Sequence, residues 1–242
     1  MTTLNCCEPP MLIAQVSDTH IMPRGELLYG RLDSASNLAQ VVQHILKLDL
    51  RPACVLLTGD LTDSGSPEAY AHLRELIAPL PMPIYAIPGN HDRREPLRAA
   101  FSDCSWMPKS TGEPVHYSFD CGPLRIFALD TLVEGEDYGQ LDSAQLDWLG
   151  RCLSECHDRP VIVMLHHPPV RSGIPGMDRV RLQAPEALGA VVARHSNIER
   201  VLCAMLPMSV DDVERWPVRM SALHLPRLLT QSRKLRVWAS VL

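Results

Sequence analysis

The chain has 242 residues, 46% of them hydrophobic and 21% charged, with a formal net charge of -5, which predicts a single soluble α/β domain with a sizeable core. The mild acidity argues against nucleic acid as the main partner, because binding to a polyanion normally needs a basic face. The sequence contains no run of about 18 apolar residues, and residues 1–10 lack the features of a signal peptide, so we predict a cytoplasmic protein without a membrane partner.

Apolar runs that end in polar residues alternate with amphipathic stretches, a pattern typical of strands that are connected by helices. A Cys-Gly-Pro turn predicts a hairpin, and therefore a second sheet layer, after the first three strands. Ser143 is the predicted N-cap of the third helix. In chain order, we predict strands at 11–20, 53–60, 83–92, 115–120, 124–130, 160–169 and 199–203, and helices at 35–50, 67–80, 143–156 and 185–195.

Four of these strands end in residues of the types that bind metal ions. The strand ends read Ser-Asp-Thr-His, Thr-Gly-Asp, Pro-Gly-Asn-His-Asp and Leu-His-His-Pro-Pro. A single such residue is more often a loop cap than a ligand. Because ligands of open α/β sheets gather at the carboxyl ends of the strands, the four motifs together predict one metal site. The candidate residues are Asp18, His20, Asp60, Asn90, His91 and His166.

These motifs, together with the run Arg-Gly-Glu-Leu-Leu-Tyr-Gly at 24–30, resemble the calcineurin-like metallophosphoesterases. Within that family the chain is most similar to the bacterial class III cyclic nucleotide phosphodiesterases and glycerophosphodiesterases. The resemblance implies a four-layer α/β/β/α sandwich with mixed sheets, altered in its C-terminal part. It divides the chain into a metallophosphoesterase domain, 1–206, and an atypical C-terminal tail, 207–242. It also implies hydrolysis of a small phosphodiester, such as cAMP or a glycerophosphodiester.

The resemblance assigns the metal ligands. Two neighbouring divalent ions can activate an attacking water and stabilise the phosphoryl charge. By resemblance, Asp60 bridges the two ions. Asp18 and His20 bind one ion, and Asn90 and His166 bind the other. Such mixed nitrogen and oxygen ligands suit Mn, Fe, Zn or Co and do not select among them.

The resemblance also implies two catalytic residues. His91 resembles the histidine that stabilises the phosphoryl charge and protonates the leaving oxygen, and Asp92 is predicted to orient it. Asp63 is predicted to be a turn residue or a support for the ligands. Neighbouring residues near a strand end face opposite sides, and the His-x-Pro pattern of the family selects His166 over His167 as the ligand.

The last motif of the family, Gly-His-x-His, is missing after the final predicted strand, where the chain reads Cys203-Ala-Met-Leu-Pro-Met. One inserted base after the codon of Cys203 allows the reading Cys-Gly-His-Ala-Ala-His. We therefore hypothesise that the sequence from about Ala204 onward is read in a shifted frame. The alternatives for the tail are a divergent terminal helix that packs on the domain and a basic amphipathic helix at a membrane.

Several functions remain open at this point. The leading hypothesis is a two-metal phosphodiesterase that acts on a small-molecule substrate. The alternative is an inactive, metal-deficient remnant or nucleotide-binding module without Gly-His-x-His. A protein phosphatase or a nuclease would use the same motifs, although a nuclease should have a more basic surface. The motifs do not identify the substrate, and the sequence is compatible with a monomer or a homo-oligomer.

Overall fold

The structure is a computed structural model that describes residues 11–204 in full and the backbone of 220–222, 229–230 and 235–241. The strands are β1 (Met11–Ser17), β2 (Cys54–Thr58), β3 (Ile84–Ile87), β4 (Tyr117–Cys121), β5 (Leu124–Ala128), β6 (Val161–Met164), β7 (Ile198–Cys203), β8 (Met220–Ala222), β9 (Leu229–Thr230) and β10 (Leu235–Val241). The helices are α1 (Ser34–Leu46), α2 (Pro67–Ile77), α3 (Arg94–Ala100), α4 (Ser143–Glu155), α5 (Pro175–Arg179) and α6 (Pro185–Val192).

The strands form two mixed sheets of five strands each. The first has the order β3-β2-β1-β10-β9, with β9 antiparallel to its neighbour and the other pairs parallel. The second has the order β4-β5-β6-β7-β8, with the predicted β4–β5 hairpin as its antiparallel pair. The carboxyl ends of β1, β2 and β3 therefore lie along one edge of the first sheet.

Alternate side chains of the second sheet pack against different layers, as the two-residue repeat of a strand requires. Ile126 and Met164 belong to the core that includes the first sheet and the helices α1 and α2, whereas Phe127 and Val163 belong to the core with α4 and α6. The architecture therefore has helices on the outer face of each sheet. The α/β/β/α sandwich that the resemblance implies is confirmed.

Side-chain caps mark the starts of three of the four predicted helices, α1, α2 and α4, whereas α6 has none. Ser66 precedes α2, and its hydroxyl accepts a hydrogen bond from the Ala69 N–H at 3.2 Å. The predicted N-cap of α4 is wrong by one residue. Asp142 has the extended backbone of a cap and accepts from the Gln145 N–H at 2.7 Å, so Ser143 already lies inside the helix.

Two short helices, α3 and α5, were not predicted from the sequence. α3 has seven residues and α5 has five, and neither is preceded by a side chain that caps its N-terminus. Without a cap or a long apolar repeat, a helix of this length leaves little trace in a sequence. None of the helices in the described part of the chain combines the length and apolarity that crossing a bilayer requires.

Three segments of the C-terminal tail have a described backbone, and all three are strands. β10 lies parallel to β1, β9 pairs with β10, and β8 lies parallel to β7. Both helical alternatives for the tail are therefore wrong for these segments. The pattern was available in Leu235–Val241, where Leu, Val, Ala and Val occupy alternate positions. The predicted domain boundary at 206 lies outside the described residues, and the division stays a prediction.

Candidate metal centre

The loops after β1 and β2 are hydrogen-bonded to each other where the strands end. The Asp18 N–H donates to the Gly59 carbonyl at 3.1 Å, and the His20 N–H donates to the Asp60 carbonyl at 2.9 Å. Two backbone hydrogen bonds in succession fix the register of one loop against the other. The side chains of both loops are thereby brought to one point at the edge of the first sheet.

The backbone is strained where the loops after β1 and β2 meet. Asp18, His20 and Asp60 have φ values of 56°, 40° and 49°, in the left-handed region that non-glycine residues seldom adopt. They account for three of the five non-glycine residues with positive φ in the described part of the chain. Such strain is concentrated at functional sites, where the surrounding structure maintains it.

Two glycines allow the second sheet to approach the first. A Cβ atom on Gly59, whose φ is 89°, would lie 2.3 Å from His166 Nδ1. A Cβ atom on Gly89 would lie 2.3 Å from Asp60 Oδ1 and 2.8 Å from His166 Nε2. The glycines of the Thr-Gly-Asp and Pro-Gly-Asn-His motifs are therefore required for close packing around Asp60.

Asp60 lies between imidazoles from both sheets. Its Oδ2 is 3.6 Å from His20 Nε2, and its Oδ1 is 3.4 Å from His166 Nε2. Oδ1 also accepts a hydrogen bond from the His91 N–H at 2.9 Å. Asn90 contributes its Oδ1 at 3.3 Å from His166 Nε2. The carboxylate thus has the central position that a bridging ligand needs.

The potential ligand atoms form two groups that share Asp60, and within each group they lie within 4.8 Å of one another. The first group is His20, Asp60 and His91, and the second is Asp18, Asp60 and His166. The shared carboxylate agrees with the bridging position that the resemblance implies. The remaining grouping differs, because Asp18 lies with His166 and not with His20, and because His91, expected to be catalytic, lies with His20 and Asp60. The division of ligands between two ions and the role of His91 stay predictions.

The charges of the site depend on burial and on one another. Burial is the main cause that raises the pKa of Asp18, and the charge of Asp60 adds to it. Burial also disfavours the charged forms of Asp60 and His166, but their mutual attraction outweighs it. The pKa of Asp60 is held below its usual range, and that of His166 is raised to about 9.

The residues of this site fit divalent cations. Asp18 Oδ2 is buried and has no hydrogen-bond partner among the described residues, which is costly for a carboxylate oxygen. A cation beside Asp18 and Asp60 would satisfy that oxygen and reduce the repulsion between the two carboxylates. The available atoms are carboxylate, amide and imidazole donors, a set that suits Mn, Fe, Zn or Co.

Asp92 has a different place from the one predicted. Its buried carboxylate accepts hydrogen bonds from the Gly89 N–H at 2.9 Å, the Leu61 N–H at 3.0 Å and the Tyr70 hydroxyl at 2.7 Å. These contacts join the loops after β2 and β3. Among the described contacts of the Asp92 carboxylate none is with His91, contrary to the expectation that Asp92 orients it.

Asp63 contacts His91 instead. The Asp63 carbonyl oxygen lies 3.0 Å from His91 Nδ1, and its Oδ1 lies 3.4 Å from the same nitrogen. Oδ1 is also 3.3 Å from His20 Nδ1. One acidic residue therefore holds the outward nitrogen of both imidazoles, as the carboxylates behind metal-bound histidines do. The Asp three residues after Asp60 was the sequence signal for this role.

A cavity of about 610 Å³ opens beside the two groups, within the range of small-molecule sites. One part of its lining includes Asp63 and the run from Asn90 to Arg93, and a second wall is formed by the run from Glu134 to Asp137. The His91 side chain is 34% exposed and lines this cavity. A substrate in the cavity would therefore contact His91 and lie next to the Asp60 carboxylate.

His167 belongs to neither ligand group, in agreement with the choice of His166. Its side chain is fully buried, and its Nδ1 lies 2.7 Å from Thr131 Oγ1. Burial, and then the charge of His166, lower the pKa of His167 to about 3. The imidazole is thus neutral and contacts the segment that leads to the second wall of the cavity.

Residues 11–204 match the profile of the calcineurin-like phosphoesterases. A probable glycerophosphodiester phosphodiesterase from Arcobacter nitrofigilis is 36% identical over 196 residues, which cover 80% of this chain and 70% of that protein. A 3',5'-cyclic adenosine monophosphate phosphodiesterase from Pseudomonas aeruginosa is 32% identical over 213 residues, covering 88% and 75%. The crystal structure of a dimetal phosphatase from Danio rerio shares the fold, with a TM-score of 0.65 at 14% identity and coverage of 96% and 87%. The chain therefore belongs to the calcineurin-like phosphoesterase family.

Proposed function

We propose that the chain is a metal-dependent phosphodiesterase that hydrolyses small phosphodiesters. The observation that carries this proposal is the position of Asp60, whose carboxylate is shared by two groups of ligand atoms. The substrate classes follow from the names of the relatives, one a probable glycerophosphodiester phosphodiesterase and the other a cAMP phosphodiesterase. We therefore propose glycerophosphodiesters and cyclic nucleotides such as cAMP as substrates.

The ligand set for two divalent ions would be Asp18, His20, Asp60, Asn90 and His166. When bound there, such ions lower the pKa of a water molecule and stabilise charge on the phosphoryl oxygens. Asp60 contributes the shared carboxylate, and the amide oxygen of Asn90 adds a neutral ligand next to His166. The left-handed backbone at Asp18, His20 and Asp60 holds these side chains in place before the substrate arrives.

His91 would act on the leaving group. Its Nδ1 is held by the Asp63 carbonyl, so the ring presents Nε2 as its other titratable nitrogen. Nε2 would carry the proton that is given to the departing alkoxide as the P–O bond breaks. Asp92 would act indirectly, by fixing the loop that carries Asn90 and His91.

The test is hydrolysis of bis(p-nitrophenyl) phosphate, cAMP and a glycerophosphodiester by the chain loaded with Mn²⁺, with metal content measured on the same samples. We expect two ions per chain and turnover that depends on them. His91→Ala should keep the ions and lose most of the turnover. One weakly bound ion without turnover of any of the three substrates would refute the proposal and identify a metal-deficient remnant.

We also propose that the sequence beyond Ala204 departs from the family through a shifted reading frame. The family match ends at Ala204, and the sequence 205–219 contains no histidine. The pairing of 235–241 with β1 weighs against this idea, because that segment has a place in the first sheet as it stands. Sequencing the gene around the codon of Cys203 decides the matter. If no single-base change there restores two histidines, the hypothesis fails.

A further inference from the structure

The second wall of the cavity is a loop, Thr131–Gln140, called the cavity loop below. Its tip, from Glu134 to Asp137, is exposed and lines the same cavity as Asn90 and His91. Its two ends meet, because the Gln140 N–H donates to the Thr131 carbonyl at 2.9 Å. An exposed tip can form a defined wall only if the base of the loop is held firmly.

His167 lies at that base. The Thr131 hydroxyl is 2.7 Å from His167 Nδ1, and it also accepts from the His167 N–H at 3.4 Å. At the other end of the loop, a Cβ atom on Gly139 would lie only 2.3 Å from the same Nδ1. Both ends of the cavity loop therefore close on one buried imidazole.

Packing alone does not account for an imidazole at this position. Among the described residues the buried His167 Nε2 makes no well-aligned hydrogen bond, although the ring interacts with the backbone of Asp137 at the tip of the cavity loop. Burying a half-satisfied polar ring is less favourable than burying an apolar side chain of similar size. The contact with Thr131 is an interaction that the imidazole makes and that an apolar side chain could not make.

The same strand end connects the cavity loop to the metal centre. His166 and His167 lie two and three residues after the end of β6, and their rings meet edge to face with centroids 4.8 Å apart. His166 faces Asp60, and His167 faces Thr131. A displacement of the cavity loop relative to the ligands would therefore have to break a contact of His167.

We propose that His167 is a positioning residue for substrate binding, resting on the phosphodiesterase function proposed above. Through Thr131 and Gly139 it fixes the cavity loop at a set distance from the metal ligands. The cavity loop then holds the organic part of the diester, whereas the ligands act on its phosphate. Loss of the His167 contact should weaken substrate binding and leave the metal ions in place.

The experiment uses the matched pair Thr131→Val and Thr131→Ser in the full chain, with bis(p-nitrophenyl) phosphate and Mn²⁺. Thr131→Val keeps the shape and removes the hydroxyl, so we expect KM to rise about five-fold, the effect of one lost hydrogen bond. The value of kcat and the metal content should stay near those of the unmodified chain. Thr131→Ser keeps the hydroxyl and should restore KM. Amide hydrogen exchange at 132–139 should be faster in Thr131→Val than in the unmodified chain, and it should be unchanged in Thr131→Ser.

Two results would overturn the proposal. The first is an unchanged KM in folded Thr131→Val. The second is a fall in both kcat and metal content in that variant, which would make His167 a support of the metal ligands. If Thr131→Val fails to fold, Gly139→Ala is judged by the same measurements, and an unchanged KM there overturns it equally. If the unmodified chain shows no turnover, the phosphodiesterase proposal fails by itself. Hydrogen exchange then tests whether His167 positions the cavity loop. Equal exchange rates at 132–139 in all variants would contradict that role.

Discussion

The two sheets contribute unequally to the metal centre. The loops of the first sheet carry most of the candidate ligands on strained backbone, and hydrogen bonds between the loops fix their register. Among the described residues, the second sheet brings His166 alone into the two groups. The neighbouring β7 ends at Cys203, and the Ala204 N–H donates to the His166 carbonyl at 3.0 Å. The first sheet thus builds the centre, and the second completes it.

Asp60→Asn should have the largest effect, because it removes the carboxylate that both groups share. We expect kcat/KM for bis(p-nitrophenyl) phosphate to fall about a thousand-fold. Asp49→Asn is the matched control, since Asp49 is exposed and remote from the strand ends that build the site. Equal activity of the two variants would show that the first sheet does not build the site.

His166→Ala tests what the second sheet contributes to metal binding. With the one described ligand of this sheet removed, we expect metal content to fall from two ions to one and kcat/KM to fall about a hundred-fold. The ion that remains should be the one held by the first sheet. Metal analysis by mass spectrometry checks this, and retention of both ions would mean that the second sheet contributes ligands besides His166.

Asp63→Asn tests whether Asp63 supports the two imidazoles on the loops of the first sheet. Its Oδ1 lies within 3.4 Å of the outward nitrogens of His20 and His91, so the change removes a charge behind two imidazoles. We expect a fall in kcat/KM of roughly ten-fold to a hundred-fold, the usual effect of such outer partners. Asp103→Asn, at an exposed ion pair with Arg74, should leave kcat/KM unchanged. A loss that is equal in both variants would contradict the role of Asp63.

Asp18→Asn should have the smallest effect, a change in stability that depends on whether metal is present. Without a cation, the buried Asp18 Oδ2 has no hydrogen-bond partner among the residues that the structure describes, and it lies near the charge of Asp60. Asp18→Asn removes that charge and should raise Tm in the presence of a chelator by about 2–4 °C, which corresponds to about 1 kcal/mol in a chain of this size. With Mn²⁺ present the same variant should be less stable than the unmodified chain. Calorimetry with and without chelator measures both, and a lower Tm in chelator would contradict the expectation.

The sequence by itself determined the fold family and the meeting point of the ligands. The alternation of apolar runs and amphipathic helices predicted parallel strands, and the carboxyl ends of parallel strands share an edge. For that reason Asp18 and Asp60 could be brought together before their distances were known, whereas His166, after a strand of the second sheet, was assigned by resemblance to the family. The missing histidines after Cys203 were equally visible, because that motif is short and local.

Only the tertiary structure decided which residues support the ligands. Asp63 and Asp92 are both acidic and close to ligands in sequence, so each was a candidate support, but their spacing does not show which one contacts His91 and which one joins two loops. Their partners depend on left-handed turns and on hydrogen bonds between residues about 30 or more positions apart. The pairing of β10 with β1 was likewise decided by the tertiary structure. A strand pairs with an unpaired edge of a sheet, and which edge is unpaired depends on how the rest of the sheet is arranged.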